Sequence, residues 1–240
     1  MRIDLFLLKN GYTDSRTEAK SFILEGSVKV NGKTVLKPSF EVSEECEIEI
    51  DKSSKRFVSR GGFKLEGALD AFKIDVNGKD AIDIGASTGG FTDCLLQRGA
   101  RRVIALDTGV SQLSPKLLND ERVISYENYN ARYLKSEDFS YSPNFAVMDV
   151  SFISATYIIK PLFNLLEEGA DFICLIKPQF EVGPEFVGKG GIVKSEKARL
   201  SAIDKVVKFS KNAGFAYVSH ITSSIVGGDG NIEYLAYFKK

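Results

Sequence analysis

Apolar residues follow two different rhythms along this 240-residue chain, and the rhythm changes near residues 52–62. Before that point Ile3, Leu5, Leu7 and Leu8 recur up to Asn10-Gly11, and Ala19, Phe22, Ile23 and Leu24 recur up to Gly26. Each set predicts a short helix, the second capped by Thr13-Asp14-Ser15 and stopped by its glycine. V-K-V, the turn Asn31-Gly32 and T-V-L predict a hairpin, because Asn-Gly accepts the positive φ angles of a two-residue turn. The alternation E-I-E-I from Glu47 to Ile50 adds a strand.

From Phe63 onward helical and strand patterns alternate. Lys64 to Phe72 reads as a helix with Leu65, Ala68, Leu69 and Phe72 on one face. Apolar runs follow at 81–85, 102–107, 122–125, 145–150, 172–176, 215–221 and 232–238, with helical stretches at 89–99, 112–119, 155–168 and 195–213. This predicts an α/β domain, a mostly parallel Rossmann-like sheet with helices on both faces. Only T-S-S-I-V-G-G-D-G-N separates the last two runs, too few residues for a crossover helix, so the final strand is expected to be antiparallel. The expected organisation is a small α+β module at 1–51, a basic connector at 52–62 and the α/β domain at 63–240.

Composition narrows the classes. The net charge is zero, so only local charge can argue for a nucleic-acid partner. Met1 to Lys37 holds seven basic and four acidic residues, Pro38 to Asp51 six acids and no base, and Lys52 to Lys64 five bases and no acid. Read one at a time, the basic side chains are ordinary solvated charges; together they make a basic face and a basic connector. Cys46, Cys94, Cys174 and the single His220 are scattered, which argues against a metal centre or a disulfide framework. The N-terminus lacks the form of a secretion signal and no apolar run is long enough to span a membrane, so a cytoplasmic protein is expected.

The chemistry concentrates in A-I-D-I-G-A-S-T-G-G-F-T-D, from Ala81 to Asp93. An apolar strand ends at a glycine turn, and a helix begins where backbone N–H groups are expected to meet a ligand. The spacing G-x-x-x-G-G is neither the dinucleotide fingerprint nor the lysine-bearing phosphate loop. A nucleoside cofactor without a pyrophosphate fits better, and S-adenosylmethionine is the commonest candidate. Asp83, Gly85, Ala86, Ser87, Thr88, Gly89 and Gly90 are the candidate cofactor residues of this turn, and Asp107 ends the next run where an acid would take a ribose diol. Glycines placed only for packing are the plainer alternative.

Ligands in such sheets bind at the carboxyl ends of the strands. Asp149 ends N-F-A-V-M-D, and Lys177 ends F-I-C-L-I-K ahead of Pro178. A helix cap for Asp149 and a snorkelling side chain for Lys177 are the plainer readings. Glu233 opens the last run after a glycine-rich turn, and Lys64 begins the helix that follows the connector.

R-I-D-L-F-L, S-R-T-E-A-K-S-F-I-L-E-G-S-V-K-V-N-G-K and K-P-S-F-E-V together resemble the RNA-binding domain named after ribosomal protein four of the small subunit. That resemblance implies RNA contact by Arg16, Lys20, Lys29 and Lys33, chiefly at phosphates, with Arg60 of the connector beside them. V-S-R-G-G-F-K-L, D-I-G-A-S-T-G-G-F-T-D, D-V-S-F-I-S, L-I-K-P-Q-F-E and G-N-I-E-Y resemble the TlyA family over nearly the whole chain. The family, often labelled hemolysin A, implies an rRNA cytidine 2′-O-methyltransferase with an FtsJ-like catalytic domain and an antiparallel tail on its sheet. It also implies a Lys-Asp-Lys-Glu tetrad at Lys64, Asp149, Lys177 and Glu233, with Asn130 and Ala131 near the adenine. D-T-G-V-S-Q-L departs from the family's D-V-G-Y-G-Q-L, leaving Val110 where an aromatic is usual.

A ribose 2′-hydroxyl is a poor nucleophile, so the tetrad must align it with the methyl group and help remove its proton. Lys177 is the candidate base, oriented by Asp149 and Glu233 with Lys64 adding positive charge; positioning of the hydroxyl is the alternative role for Lys177. The segment Pro178 to Val193 is either a loop that closes over the target nucleotide or a simple crossover. The partner expected is ribosomal RNA or a ribosomal subunit. The short ends of the chain lean towards the family type that modifies the large subunit, with the small subunit possible. A membrane-active hemolysin and an inactive RNA-binding protein on a methyltransferase fold are the competing readings.

Overall fold

The computed structural model of the chain describes residues 1–13, 16–24, 26–50, 56–227 and 230–240, and forms two compact units, Met1–Arg60 and Gly61–Lys240. The expected cap at Asp14 and Ser15, and connector residues 52–55, lie outside the described residues.

The first unit contains α1 (Ile3–Lys9), α2 (Arg16–Leu24), β1 (Val28–Val30), β2 (Lys33–Thr34) and β3 (Ile48–Ile50), the strands ordered β2-β1-β3 in an antiparallel sheet. Val30 pairs with Lys33 around Asn31-Gly32, whose φ angles of 49° and 74° are those a two-residue hairpin turn requires. Leu5 and Leu8 differ from expectation: they are exposed, and Phe6 joins Ile3 and Leu7 in the core. In a helix of seven residues only one stripe at i, i+3, i+4 can face inward, and Ile3, Phe6 and Leu7 occupy it.

The second unit runs α3 (Gly61–Phe72), β4 (Asp80–Ile84), α4 (Gly90–Gln97), β5 (Arg102–Leu106), α5 (Pro115–Leu118), β6 (Val123–Tyr126), β7 (Phe145–Met148), α6 (Thr156–Leu165), β8 (Asp171–Ile176), α7 (Pro178–Glu181), α8 (Glu196–Ala213), β9 (Ala216–Thr222) and β10 (Tyr234–Lys239). Its seven strands are ordered β6-β5-β4-β7-β8-β10-β9. The pairs from β6 through β8 are parallel, while β10 is inserted between β8 and β9 and runs antiparallel to both. The sheet is therefore mostly parallel with an antiparallel end, and the first unit is a small α+β module. Strand β4 is buried on both sides: Ile82 and Ile84 join the cluster formed with α6 and α8, while Asp83 turns to α4 and meets Thr92.

Two helices depart from the sequence pattern. The stretch 112–119 yields only α5, because Ser114 precedes Pro115 and is held extended at ψ 137°. Helix α3 starts at Gly61 rather than Lys64, with its glycine pair in the first turn.

At the edge of the sheet opposite the strands' carboxyl ends, Asp80 is buried and receives Arg101 through Nε at 2.7 Å and through Nη2, and Arg102 at 2.8 Å. The guanidinium of Arg102 lies over the ring of Tyr141, 3.6 Å from its centre. The Arg101 hydrogen bonds, opposed by burial and assisted by Arg102, hold the Asp80 carboxyl near 2, below its ordinary 3.8. A depressed folded-state pKa gives stability that is complete above the unfolded value and disappears as pH falls through the folded one. Asp80→Asn should therefore cost about 1–2 kcal/mol at pH 7. Parallel denaturant titrations should show the two proteins converging as the pH is lowered to about 2.

Candidate functional site

The glycine turn after β4 is built by close approach. Gly85, Ser87 and Gly89 have φ of 83°, 49° and 94°, which directs the chain from the strand into α4. A Cβ on Gly85 would lie 2.2 Å from the backbone oxygen of Asp149, and one on Gly89 would lie 2.1 Å from Leu117. Glycine at 85 thus lets the end of β4 meet the chain just beyond β7. The amides of Gly85 and Ala86 both donate to the Leu106 carbonyl, Gly89 donates to Ala86, and Ser87 donates to Asp107 Oδ2 at 2.8 Å. These four amides of the turn are satisfied inside the protein.

A cleft of about 350 Å³ opens beside this turn, lined by Gly85, Ser87, Asp107, Asn130, Ala131 and Asp149 among others. That volume suits a small-molecule ligand. Asp107 accepts from Ser87 N through Oδ2 and from Gly109 N through Oδ1, which fixes its carboxylate at the wall. Asn130 accepts from Arg132 N at 3.1 Å through its Oδ1, so its amide NH₂ end is the part left to meet a ligand.

Five of the expected cofactor residues stand away from the cleft wall. Ala86, Gly89 and Gly90 are buried, and Thr88 is exposed. Asp83 is wholly buried; its Oδ2 accepts from Thr92 Oγ1 at 2.6 Å, and its Oδ1 has no partner among the described residues. Burial pushes the Asp83 carboxyl up to about 7 despite the Thr92 bond, with Asp149 adding repulsion. Conversely, Tyr129, Gln112 and the segment Val150 to Ile153 line the cleft without having been singled out. Tyr129 sits one place before Asn130 and was in principle visible as an aromatic at a strand exit. The others depend on how loops fold back over the sheet.

The four tetrad residues gather at the carboxyl edge as two ion pairs. Lys177 Nζ is 2.6 Å from Asp149 Oδ1 and donates to Ser151 Oγ at 2.7 Å. Lys64 Nζ donates to Glu233 Oε2 at 2.5 Å, with only 11% and 3% of the two side chains exposed. Asp149 serves both the cleft wall and Lys177, so it joins the two parts of the site. It does not cap a helix, since α6 begins only at Thr156. Pro178 opens α7 at N1, which ends β8 with Lys177 extended at the sheet edge. The register Tyr234↔Ile176, continued by one residue, sets Glu233 opposite Lys177.

The turn before Glu233 is fastened to the glycine-rich segment after α7. Asn231, almost wholly buried, accepts from Val193 N and donates to Gly191 O, both at 2.9 Å. Gly188 and Ile192 also close a local turn. These bonds strap the segment to the turn before β10.

In the first unit Arg16 does not stand alone. Asp4, wholly buried, accepts from Arg16 Nε and Arg2 Nε, each at 3.0 Å, which presents two guanidinium groups from one anchor. Lys29 lies 3.8 Å from Glu49, and Lys20 and Lys33 are exposed. Arg60 is half-buried and engaged with neighbours. Among the described residues no group of His, Cys, Asp and Glu is arranged to hold a metal ion.

Comparison with known proteins gives a consistent result. The sequence profile of the FtsJ-like methyltransferase family matches residues 57–240, and that of the S4 domain matches residues 1–48. The chain is 39% identical over 239 residues to the 16S/23S rRNA (cytidine-2′-O)-methyltransferase TlyA of Mycobacterium tuberculosis, covering 99% of this chain and 89% of that one. It is 35% identical to the 23S rRNA (cytidine-2′-O)-methyltransferase TlyA of Campylobacter jejuni, with 100% of each covered. A solved structure from Streptococcus thermophilus, provisionally named a hemolysin, superposes with a TM-score of 0.80 at 42% identity, covering 100% of this chain and 88% of that one.

The contact at Gly85 yields a sharp expectation. Gly85→Ala meets both a positive φ and a backbone clash, so it should cost about 2–3 kcal/mol of stability and weaken S-adenosylmethionine binding more than about tenfold. Gly78 has φ of 71° but open space around it. Gly78→Ala should therefore cost about 1 kcal/mol and leave binding unchanged. Denaturant melts and calorimetric titration of both variants check this.

Proposed function

The chain belongs to the TlyA family of FtsJ-like, S-adenosylmethionine-dependent methyltransferases, and from that premise we propose that it methylates the 2′-hydroxyl of cytidine in ribosomal RNA. The observation that carries this reading is the two partly buried lysine–carboxylate contacts beside a cleft of cofactor size, with Asp149 common to both the cleft and one pair. The 23S molecule appears in the names of both TlyA relatives and the 16S molecule in one, which favours the large subunit. The substrate is ribosomal RNA, free or within a subunit, and the work is cytoplasmic.

The residues present suit S-adenosylmethionine. Gly85 lets the turn close against Asp149 at the cleft wall, Asp107 offers a fixed carboxylate to a ribose diol, and Asn130 offers an amide to adenine. When bound, the cofactor supplies a methyl group activated by its sulfonium charge. Lys177 holds the attacking ribose oxygen and, as the neutral amine left once its ammonium has given a proton to solvent, takes the hydroxyl proton, while Asp149 and Ser151 fix the position of the lysine. Glu233 holds Lys64, whose positive charge steadies the oxygen as the proton leaves. Arg16, Lys20, Lys29, Lys33 and Arg60 serve the RNA backbone, with Asp4 aiming Arg16.

A hemolytic role has less behind it. Among the described residues no helix is long and apolar enough to cross a membrane, and the four residues of the tetrad have a direct use in methyl transfer.

Mass-spectrometric mapping of ribose methylation in rRNA should show one or more 2′-O-methylcytidines in cells carrying the wild-type gene and none in cells lacking it. Lys177→Arg keeps the charge but cannot accept a proton. Its rRNA should match that of the null strain if Lys177 is the base; restored methylation would reduce Lys177 to a positioning charge. Identical maps with and without the protein would overturn the proposed function.

A further inference from the structure

We propose that Glu181 is a positioning residue for methyl transfer, acting as a buried clamp between the segment that carries Asp149 and the segment that carries Lys177. The inference rests on the methyltransferase reading and adds a residue outside the tetrad.

Beyond the last β7–β8 pair, Met148↔Cys174, the two chains leave the sheet as Asp149 to Ala155 and Lys177 to Glu181. Among the described residues, the hydrogen bonds joining these two segments come from side chains. At one end Lys177 reaches Ser151. At the other end Glu181 Oε2 accepts from Ser154 Oγ at 2.5 Å, and Oε1 accepts from Ala155 N at 2.7 Å. Ala155 precedes the first residue of α6, so the carboxylate also sits at the positive end of that helix's dipole.

The carboxylate has 3% of its side chain exposed, and an ionised group so enclosed persists only where donors and a countercharge meet it. Lys205 of α8 provides the charge, 3.0 Å from Oε2, and donates to the Glu181 backbone oxygen at 2.8 Å. Ser154 Oγ also accepts from Thr156 N and lies 2.7 Å from Thr156 Oγ1, which ties the clamp into the first turn of α6. Glu181 therefore takes two bonds from one loop and one cation from a third element, all four residues beyond Lys177. Without it, Lys177 is attached to Asp149 and Ser151 only through its own long side chain. Its ammonium group is then free to shift by distances of the order that matter for in-line transfer.

Glu181 lines the neighbouring cleft, which shares Asn130 and Ser151 with that of the cofactor, but not the cofactor cleft itself, so its loss should affect turnover more than cofactor affinity. With saturating RNA and labelled S-adenosylmethionine, Glu181→Gln should lower kcat about tenfold and Glu181→Ala about a hundredfold, with the cofactor Kd within about threefold of wild type. Ser154→Ala should lower kcat by a smaller factor, and the Ser154→Ala, Glu181→Gln double variant should be no slower than Glu181→Gln alone, because both remove one connection. Lys205→Met provides a variant that strips the countercharge from outside both loops and should slow turnover in the same way. Rates are expressed per folded molecule, with the folded fraction taken from circular dichroism. Wild-type kcat per folded molecule in Glu181→Gln, or strictly multiplicative effects in the double variant, would overturn the clamp while leaving the methyltransferase reading intact. Absence of methyl transfer by the wild-type protein would overturn both.

Discussion

The contact between Gly85 and the carbonyl of Asp149 is the constraint on which the rest of the site depends. A side chain at residue 85 would have to occupy space 2.2 Å from that oxygen. Because none is there, β4 and β7 stay paired to their carboxyl ends, and the turn that borders the cleft meets the first acid of the tetrad. Asp149 can therefore face the cofactor cleft and Lys177 together. The same turn spends its amides on Leu106 and Asp107, which shapes the cleft and holds the carboxylate of Asp107 at its wall.

The second organising feature is the direction of β10. Parallel strands bring their last residues to one edge, and an antiparallel neighbour brings its first residue to that same edge. Insertion of β10 beside β8 accordingly places Glu233 at the level of Lys177, although the two are far apart in the chain. Two lysines and two carboxylates then lie partly withdrawn from solvent, where unpaired charges would be costly; pairing reduces that cost and fixes the lysines for use. The straps formed by Asn231 and Glu181 hold the loops on which these side chains are mounted.

Much of this was legible in the sequence, for identifiable reasons. Fully buried parallel strands read as unbroken apolar runs, so the acids and lysines that end them stand out; Asp149 and Lys177 are of that kind. The hairpin at Asn31-Gly32 was visible because its turn chemistry is local. Periodicity failed where position depends on neighbours. Leu5 and Leu8 lie on the outer side of a helix too short to show its stripe clearly, and Ser114-Pro115 shortened a helix that apolar spacing alone supported. Strand alternation turns Asp83 to Thr92 on α4, a contact that the run of apolar residues around it does not show. Ser151, Tyr129 and Glu181 went unassigned because loop closure, which no spacing rule records, brings them into place.

The central claim is that the acceptor is a ribose oxygen. The most direct measurement is transfer of labelled methyl from S-adenosylmethionine to ribosomal RNA by the purified protein, followed by alkaline hydrolysis. A methylated 2′-oxygen cannot attack the adjoining phosphodiester, so the label should appear in alkali-resistant dinucleotides beginning with cytidine. Label recovered in mononucleotides would place the methyl on a base and contradict the role of Lys64, Asp149, Lys177 and Glu233 in activating a hydroxyl.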